Sequence, residues 1–255
     1  MKRLCFIGNS HLAALKLGWD DIAGEVQGVS ATFFGAPAPH YLAFSVVDGN
    51  LVARGDAAKR HIVTNANTGY VELGAYDGVI LCGLNVSVNR LVLLYKTYRT
   101  DGQQGFEKAK YILSPDCYEK ACNGLYENTY GMRLGHDIYN ETGKPVWLMP
   151  QPFPSSAIVS SQKPNPFQEV VKNGDDGFIL SQYNTILKRV AGDEVRVLEQ
   201  PPETKTGPLL SDTRYSAGSV RLTADLSRAH REDDHGHMNR KYGAIVLRQV
   251  LNVIN

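Results

Sequence analysis

Short apolar runs, each stopped by glycine or proline, are what most restrict the fold open to this chain. Residues 4–7 stop at Gly8, 29–34 at Gly35-Ala36-Pro37, 78–82 at Gly83, and 145–149 at Pro150; a fifth run, 195–198, ends shortly before Pro201-Pro202. Four of the five are nearly uninterrupted. A strand with one wet face alternates apolar and polar residues, whereas an unbroken apolar run belongs to a strand covered on both faces, as in a parallel sheet. Helix-like stretches lie between these runs: 11–17 with Gly18 as its stop, 88–98, 178–190 and 238–254. The last puts Met238, Tyr242, Ile245, Val246, Val250, Val253 and Ile254 on one helical face. Strands alternating with helices predict a doubly wound α/β sheet in one domain, 1–255.

Two stretches depart from that rhythm. Residues 44–54 read as a β-hairpin turning on Asp48-Gly49 and decorating the sheet. Residues 97–136 are tyrosine-rich and weakly periodic, and read as an excursion with some helix near the C-terminal edge of the sheet. The proline-rich passage 150–166 reads as a rigid surface loop.

A formal charge of +1 without a long Lys or Arg run argues against nucleic acid or an anionic membrane as the main partner. No apolar run approaches the roughly 18 residues of a membrane span. Residues 4–7 are too few for a signal-peptide core, so the expected location is cytoplasmic. Cys5 and Cys82 fall inside strands, and Cys117 with Cys122 lacks a second pair of zinc ligands; reduced thiols and no metal are expected.

The common nucleotide and zinc-peptidase motifs are missing, as is a G-x-S-x-G elbow. Ser10, in Gly8-Asn9-Ser10-His11, follows a strand and opens a helix, where free N–H groups favour developing negative charge. It reads either as a nucleophile or as a helix cap. A serine nucleophile needs a base, and the base needs a group that fixes its tautomer. Asp234 and His237, in Asp234-His235-Gly236-His237, are spaced for a turn to bring carboxylate to imidazole. The same cluster also reads as a polar turn, or as a metal site of His230, Asp233, His235 and His237. Asn85, after the third strand, can donate to an oxyanion, a contribution of about 2.7–4 kcal/mol to a barrier. Gly35 can offer its N–H at close approach. Both also read as plain turn residues.

Taken in order, Gly8-Asn9-Ser10, Gly35, Gly83-Leu84-Asn85 and Asp234-x-x-His237 resemble the four blocks of the SGNH/GDSL hydrolase superfamily, spread over nearly the whole chain. The resemblance implies a three-layer αβα sandwich with a flavodoxin-like parallel sheet of order 2-1-3-4-5. It implies Ser10 as nucleophile, His237 as base and Asp234 as its orienter. It also implies an oxyanion hole of the Ser10 and Gly35 N–H groups and the Asn85 side chain. Two positions depart from the pattern: Asn9 stands where the family has Asp, and Val86 follows Asn85 in place of another Asp. The expected function is a serine-dependent ester hydrolase without cofactor, acting on small acyl esters, carbohydrate esters among them. His11 and Phe153 are candidate substrate contacts, and Trp19, Tyr41, Tyr126 and Tyr130 candidate sugar-stacking rings. An acyltransferase on the same scaffold, or a non-catalytic binding protein favoured by Asn9 and Val86, are the alternatives.

Overall fold

A computed structural model describes residues 1–65 and 69–254. β1 (Lys2–Gly8) runs into α1 (Leu12–Ile22), and β2 (Val29–Gly35) returns beside β1. A hairpin of β3 (Phe44–Val47) and β4 (Asn50–Ala53) turns on Asp48 and Gly49, whose φ angles of 49° and 72° match the strands' twist. Then come α2 (Asp56–Arg60), β5 (Val63–Thr64), β6 (Tyr70–Glu72) and β7 (Gly78–Cys82). The next stretch holds α3 (Asn89–Tyr95), β8 (Tyr98–Thr100), β9 (Tyr111–Leu113), α4 (Pro115–Glu127) and α5 (Tyr130–Thr142). β10 (Val146–Met149), α6 (Pro166–Asn173), α7 (Asp176–Ala191) and β11 (Val195–Val197) follow. A small pair, β12 (Lys205–Gly207) and β13 (Leu210–Ser211), precedes α8 (Arg240–Ile254).

The central sheet has the order β11-β10-β7-β1-β2-β5, parallel throughout except for β5, which runs antiparallel to β2. Alternate residues feed two separate cores. Leu4, Phe6, Ile80, Cys82, Trp147 and Met149 pack with α1 and α8. Cys5, Ile7, Val79, Leu81, Val146 and Leu148 pack with side chains of α3, α4, α5 and α7. Burial on both faces is why these strands carry no polar alternation. From β1 the chain steps to β2 on one side and later to β7 on the other. The C-terminal ends of β1 and β7 therefore lie side by side where the strand order reverses.

Two sequence readings change. Gly18 does not stop α1, which continues to Ile22. A Cβ at Gly18 would lie 2.3 Å from the Ala244 nitrogen, so the glycine marks a close helix crossing. Residues 97–136 are also more regular than their composition suggests, holding all of α4 and part of α5. That stretch is anchored by buried polar groups, which no hydrophobic period reports. Arg99 is 1% exposed, stacked 4.0 Å from the Tyr95 ring and paired with Glu169, while Asp175 accepts the Tyr95 hydroxyl at 2.6 Å. Among the described residues, no helix is long and apolar enough to cross a membrane.

Candidate active site

β1 ends at Gly8, and the next three residues turn the chain into α1. Glycine is required at Gly8, since a Cβ there would sit 2.9 Å from the Cys82 carbonyl oxygen. Asn9 is 4% exposed, and its Oδ1 accepts the His11 N–H at 3.3 Å. That bond closes the turn ahead of α1, whose own first position, His11, carries no side-chain cap, so Ser10 is not used as one. Ser10 Oγ instead lies 2.9 Å from His237 Nε2, across 227 positions of sequence.

On the other side, Asp234 closes a tight turn on itself. Its Oδ1 accepts the Gly236 N–H at 2.9 Å and the His237 N–H at 3.0 Å. That turn points the His237 ring back, with Nδ1 2.9 Å from Asp234 Oδ2. An ionised carboxylate only accepts, so Nδ1 carries the ring proton and Nε2 presents its lone pair to the Ser10 hydroxyl. Burial by itself would raise the Asp234 carboxyl. Hydrogen bonds from His230 and His237, the His237 charge and the Gly236 N–H outweigh it and hold the group well below the ordinary carboxylate range.

The two halves meet because their helices do. α1 starts two residues after Ser10, and α8 starts three residues after His237, capped by Asn239 Oδ1 accepting the Lys241 and Tyr242 N–H groups at 3.1 and 3.2 Å. At their crossing a Cβ on Gly243 would lie 1.8 Å from the Ala14 carbonyl oxygen. Arg240 pairs with Asp21 and Arg248 with Glu25 along the same seam. The loop carrying His237 is tied down separately, the Ser155 N–H donating to the His235 carbonyl at 2.8 Å.

Gly35 ends β2 in register with Gly8, and a Cβ on it would stand 2.6 Å from the Gly8 oxygen. After β7, Gly83, Leu84 and Asn85 are all left-handed, with φ of 74°, 46° and 70°. A left-handed leucine costs of order 1–3 kcal/mol and persists where its surroundings over-determine it. Here the Gly131 N–H donates to the Leu84 carbonyl at 2.9 Å, and the Gln151 N–H to the Val86 carbonyl at 2.8 Å. The turn leaves Asn85 exposed, its carbonyl accepting from Arg90 Nε at 3.1 Å, while Val86 is fully buried. A Cβ on Gly83 would meet Asn9 Oδ1 at 2.6 Å, so Asn9 fills the space between the ends of β1 and β7.

The remaining candidates are placed differently. His11 stacks on the His237 ring, centroids 4.8 Å apart, with Nδ1 buried and unpartnered among the described residues. Burial first, then the neighbouring His237 charge, lowers its pKa to about 3, and the ring stays neutral. Phe153 is 6% exposed with its ring against Tyr183, and lines an apolar pocket that none of Ser10, Gly35, Asn85 or His237 lines. Tyr41 and Tyr126 are buried, and Trp19 and Tyr130 half-buried, the Tyr130 hydroxyl bonding the Phe44 carbonyl. These rings are occupied in packing and form no open stacking platform.

In the sequence His230 read as a member of a metal set or as a solvated side chain, yet it packs directly against His237 and Asp234. Its ring stacks on the other face of His237 at 3.9 Å and 13°, and its Nδ1 is 3.1 Å from Asp234 Oδ2. Ligand atoms of His230, Asp234 and His237 lie within 4.8 Å of one another. Parallel rings fit an ion poorly, because one held between them would lie out of both ring planes, away from the lone pairs. Asp233 is turned outward to Lys163 at 2.8 Å and Arg231 at 3.0 Å. The arrangement is suited to holding and moving a proton.

No family model matches the chain, and no curated protein matches it. Among solved structures it is similar to a DUF4886 family protein from Bacteroides uniformis, at 10% identity over 95% of this chain and 78% of that one, with a TM-score of 0.36. A likeness that weak assigns neither family nor activity.

Proposed function

We propose that the chain is a serine-dependent ester hydrolase of the SGNH/GDSL type, acting on small acyl esters through an acyl-enzyme. The observation that carries this reading is the unbroken line from Ser10 Oγ through His237 to Asp234, at 2.9 and 2.9 Å. In this reading the two-faced parallel sheet is a flavodoxin-like three-layer sandwich, and the ester is received at the C-terminal ends of β1 and β7, beside Ser10. Ser10 Oγ attacks the carbonyl carbon as its proton passes to His237 Nε2. Asp234 stabilises the imidazolium, and the Ser10 and Gly35 N–H groups with the Asn85 side chain take the oxyanion. The leaving alcohol departs with the proton from His237; water, deprotonated by the same nitrogen, then releases the acid and restores Ser10. Support for a carbohydrate alcohol is the family resemblance alone.

The test is covalent labelling by a fluorophosphonate probe. Wild type should label at Ser10 and Ser10→Ala should not. A folded wild type that fails to label would overturn the assignment.

A further inference from the structure

Three histidine rings lie in one stack, with His237 between His11 and His230. The stack is not symmetrical. His11 makes no hydrogen bond to the carboxylate, whereas His230 shares Asp234 Oδ2 with His237, at 3.1 Å against 2.9 Å. The His230 side chain is 10% exposed, with Nε2 buried and unpartnered among the described residues. Its backbone is fixed as well, the His230 N–H donating to the Ser219 carbonyl at 2.9 Å. Since the carboxylate can only accept, neutral His230 has its proton on Nδ1 and donates it to Asp234.

We propose that His230 is a positioning residue for the base, acting through Asp234 and through the face of His237. The proposal rests on the hydrolase reading. Neutral His230 holds the Asp234 carboxylate in line with His237 Nδ1 and covers one face of the ring. Without that second donor the carboxylate is free to turn away from Nδ1 and one face of the ring is uncovered, so His237 is less well aimed at Ser10 in the transition state. The groups facing His230 are Asp234 in contact and His237 in the stack. His11 lies beyond His237, and Lys163, Asp233 and Arg231 form an ion-pair cluster on the exposed side of the same loop.

The experiment compares wild type, His230→Ala and His230→Asn as full-length chains. Asparagine keeps an N–H donor near the Nδ1 position and does not titrate. Hydrolysis of p-nitrophenyl acetate gives kcat and KM, and the imidazole nitrogens of histidine-labelled protein are followed by NMR without substrate. His230→Ala should lower kcat about tenfold with KM little changed, from loss of one charge-assisted hydrogen bond. His230→Asn should recover to within about threefold of wild type by the same reckoning. The His237 nitrogen shifts should place the ring proton on Nδ1 in wild type and in His230→Asn, and show a mixture of tautomers in His230→Ala. Wild-type kcat and a wild-type His237 tautomer in His230→Ala, or no recovery in His230→Asn, would overturn the proposal, even with Ser10-dependent hydrolysis intact. If no ester is hydrolysed but the tautomer is lost in His230→Ala and restored in His230→Asn, the positioning stands and the hydrolase reading falls.

Discussion

Gly243→Ala and Gly124→Ala are the same substitution in a helix interior and should have opposite effects. Replacing glycine by alanine in a helix contributes about 1 kcal/mol of stability through backbone entropy. At Gly124, exposed in α4, a Cβ meets nothing within 4 Å, so that gain should appear undiluted. At Gly243 the new Cβ would stand 1.8 Å from the Ala14 oxygen and 2.5 Å from its carbonyl carbon. Ordinary contact needs about 3.5 Å, so α8 must retreat from α1 by roughly 1.5 Å. Both clashing groups are helix backbone, and no rotamer change relieves them. Overpacking costs about 1–3 kcal/mol when side chains can adjust, and the rigid case belongs at the upper end. Subtracting the propensity gain leaves a net loss of about 2 kcal/mol, or about 4–8 °C in Tm for a chain of this length. The retreat also pulls His237 from Ser10, and a misplacement of about 1 Å can reduce turnover about 100-fold. Thermal unfolding by circular dichroism, with hydrolysis of p-nitrophenyl acetate alongside, measures both effects. A Gly243→Ala protein with Tm raised like that of Gly124→Ala would refute the close crossing and the link from that seam to the site.

Other consequences are testable with simple assays. His237→Ala should remove nearly all turnover, His235→Ala should leave it near wild type, and Asp234→Asn should cost about 10³–10⁴ in kcat by releasing the wrong tautomer; equal rates for His237→Ala and wild type would remove the base assignment. His11, with its folded pKa lowered from 6.5 to about 3, takes up a proton on unfolding at any pH between the two. Its contribution to stability is therefore complete above that window and lost as pH falls through it. The urea midpoint should fall less steeply from neutral to mildly acid pH for His11→Phe than for wild type, and identical slopes would contradict the neutral ring. Burial pushes the Cys82 and Cys122 thiols up to about 12, and Cys5 higher, while Cys117 is exposed. Ellman's reagent should thus titrate Cys117 alone in the folded protein and all four thiols in denaturant; rapid reaction of a second thiol before unfolding would show the core to be more open than described.

The five parallel strands of the central sheet were legible from apolar runs with hard stops, whereas the two-residue antiparallel edge strand β5 is too short to leave such a run. Hairpin 44–54 was legible for a similar reason, since Asp48-Gly49 is a turn that few other dipeptides make. Helix α5 was not read as a separate element. Its stretch, Tyr130–Thr142, mixes glycine, tyrosine and charge, and its helix is held by what it packs on rather than by a clear period. Gly18 misled for the converse reason. Locally a glycine ends a helix, but here it is needed by a partner helix more than two hundred residues away.

For the site, sequence by itself put Ser10, Gly35 and Asn85 at strand ends and put Asp234 three residues before His237. Those are local facts, fixed by turn chemistry and spacing. Only the tertiary structure decided that Ser10 and His237 lie 2.9 Å apart and that Phe153 is packed against Tyr183. Only it decided that His230 shares the Asp234 carboxylate and stacks on His237. The physical reason is that a hydrogen bond or ring contact between distant positions depends on how two helices cross. That crossing is set by backbone-to-backbone contact at Gly18 and Gly243, which leaves no periodic trace in the chain.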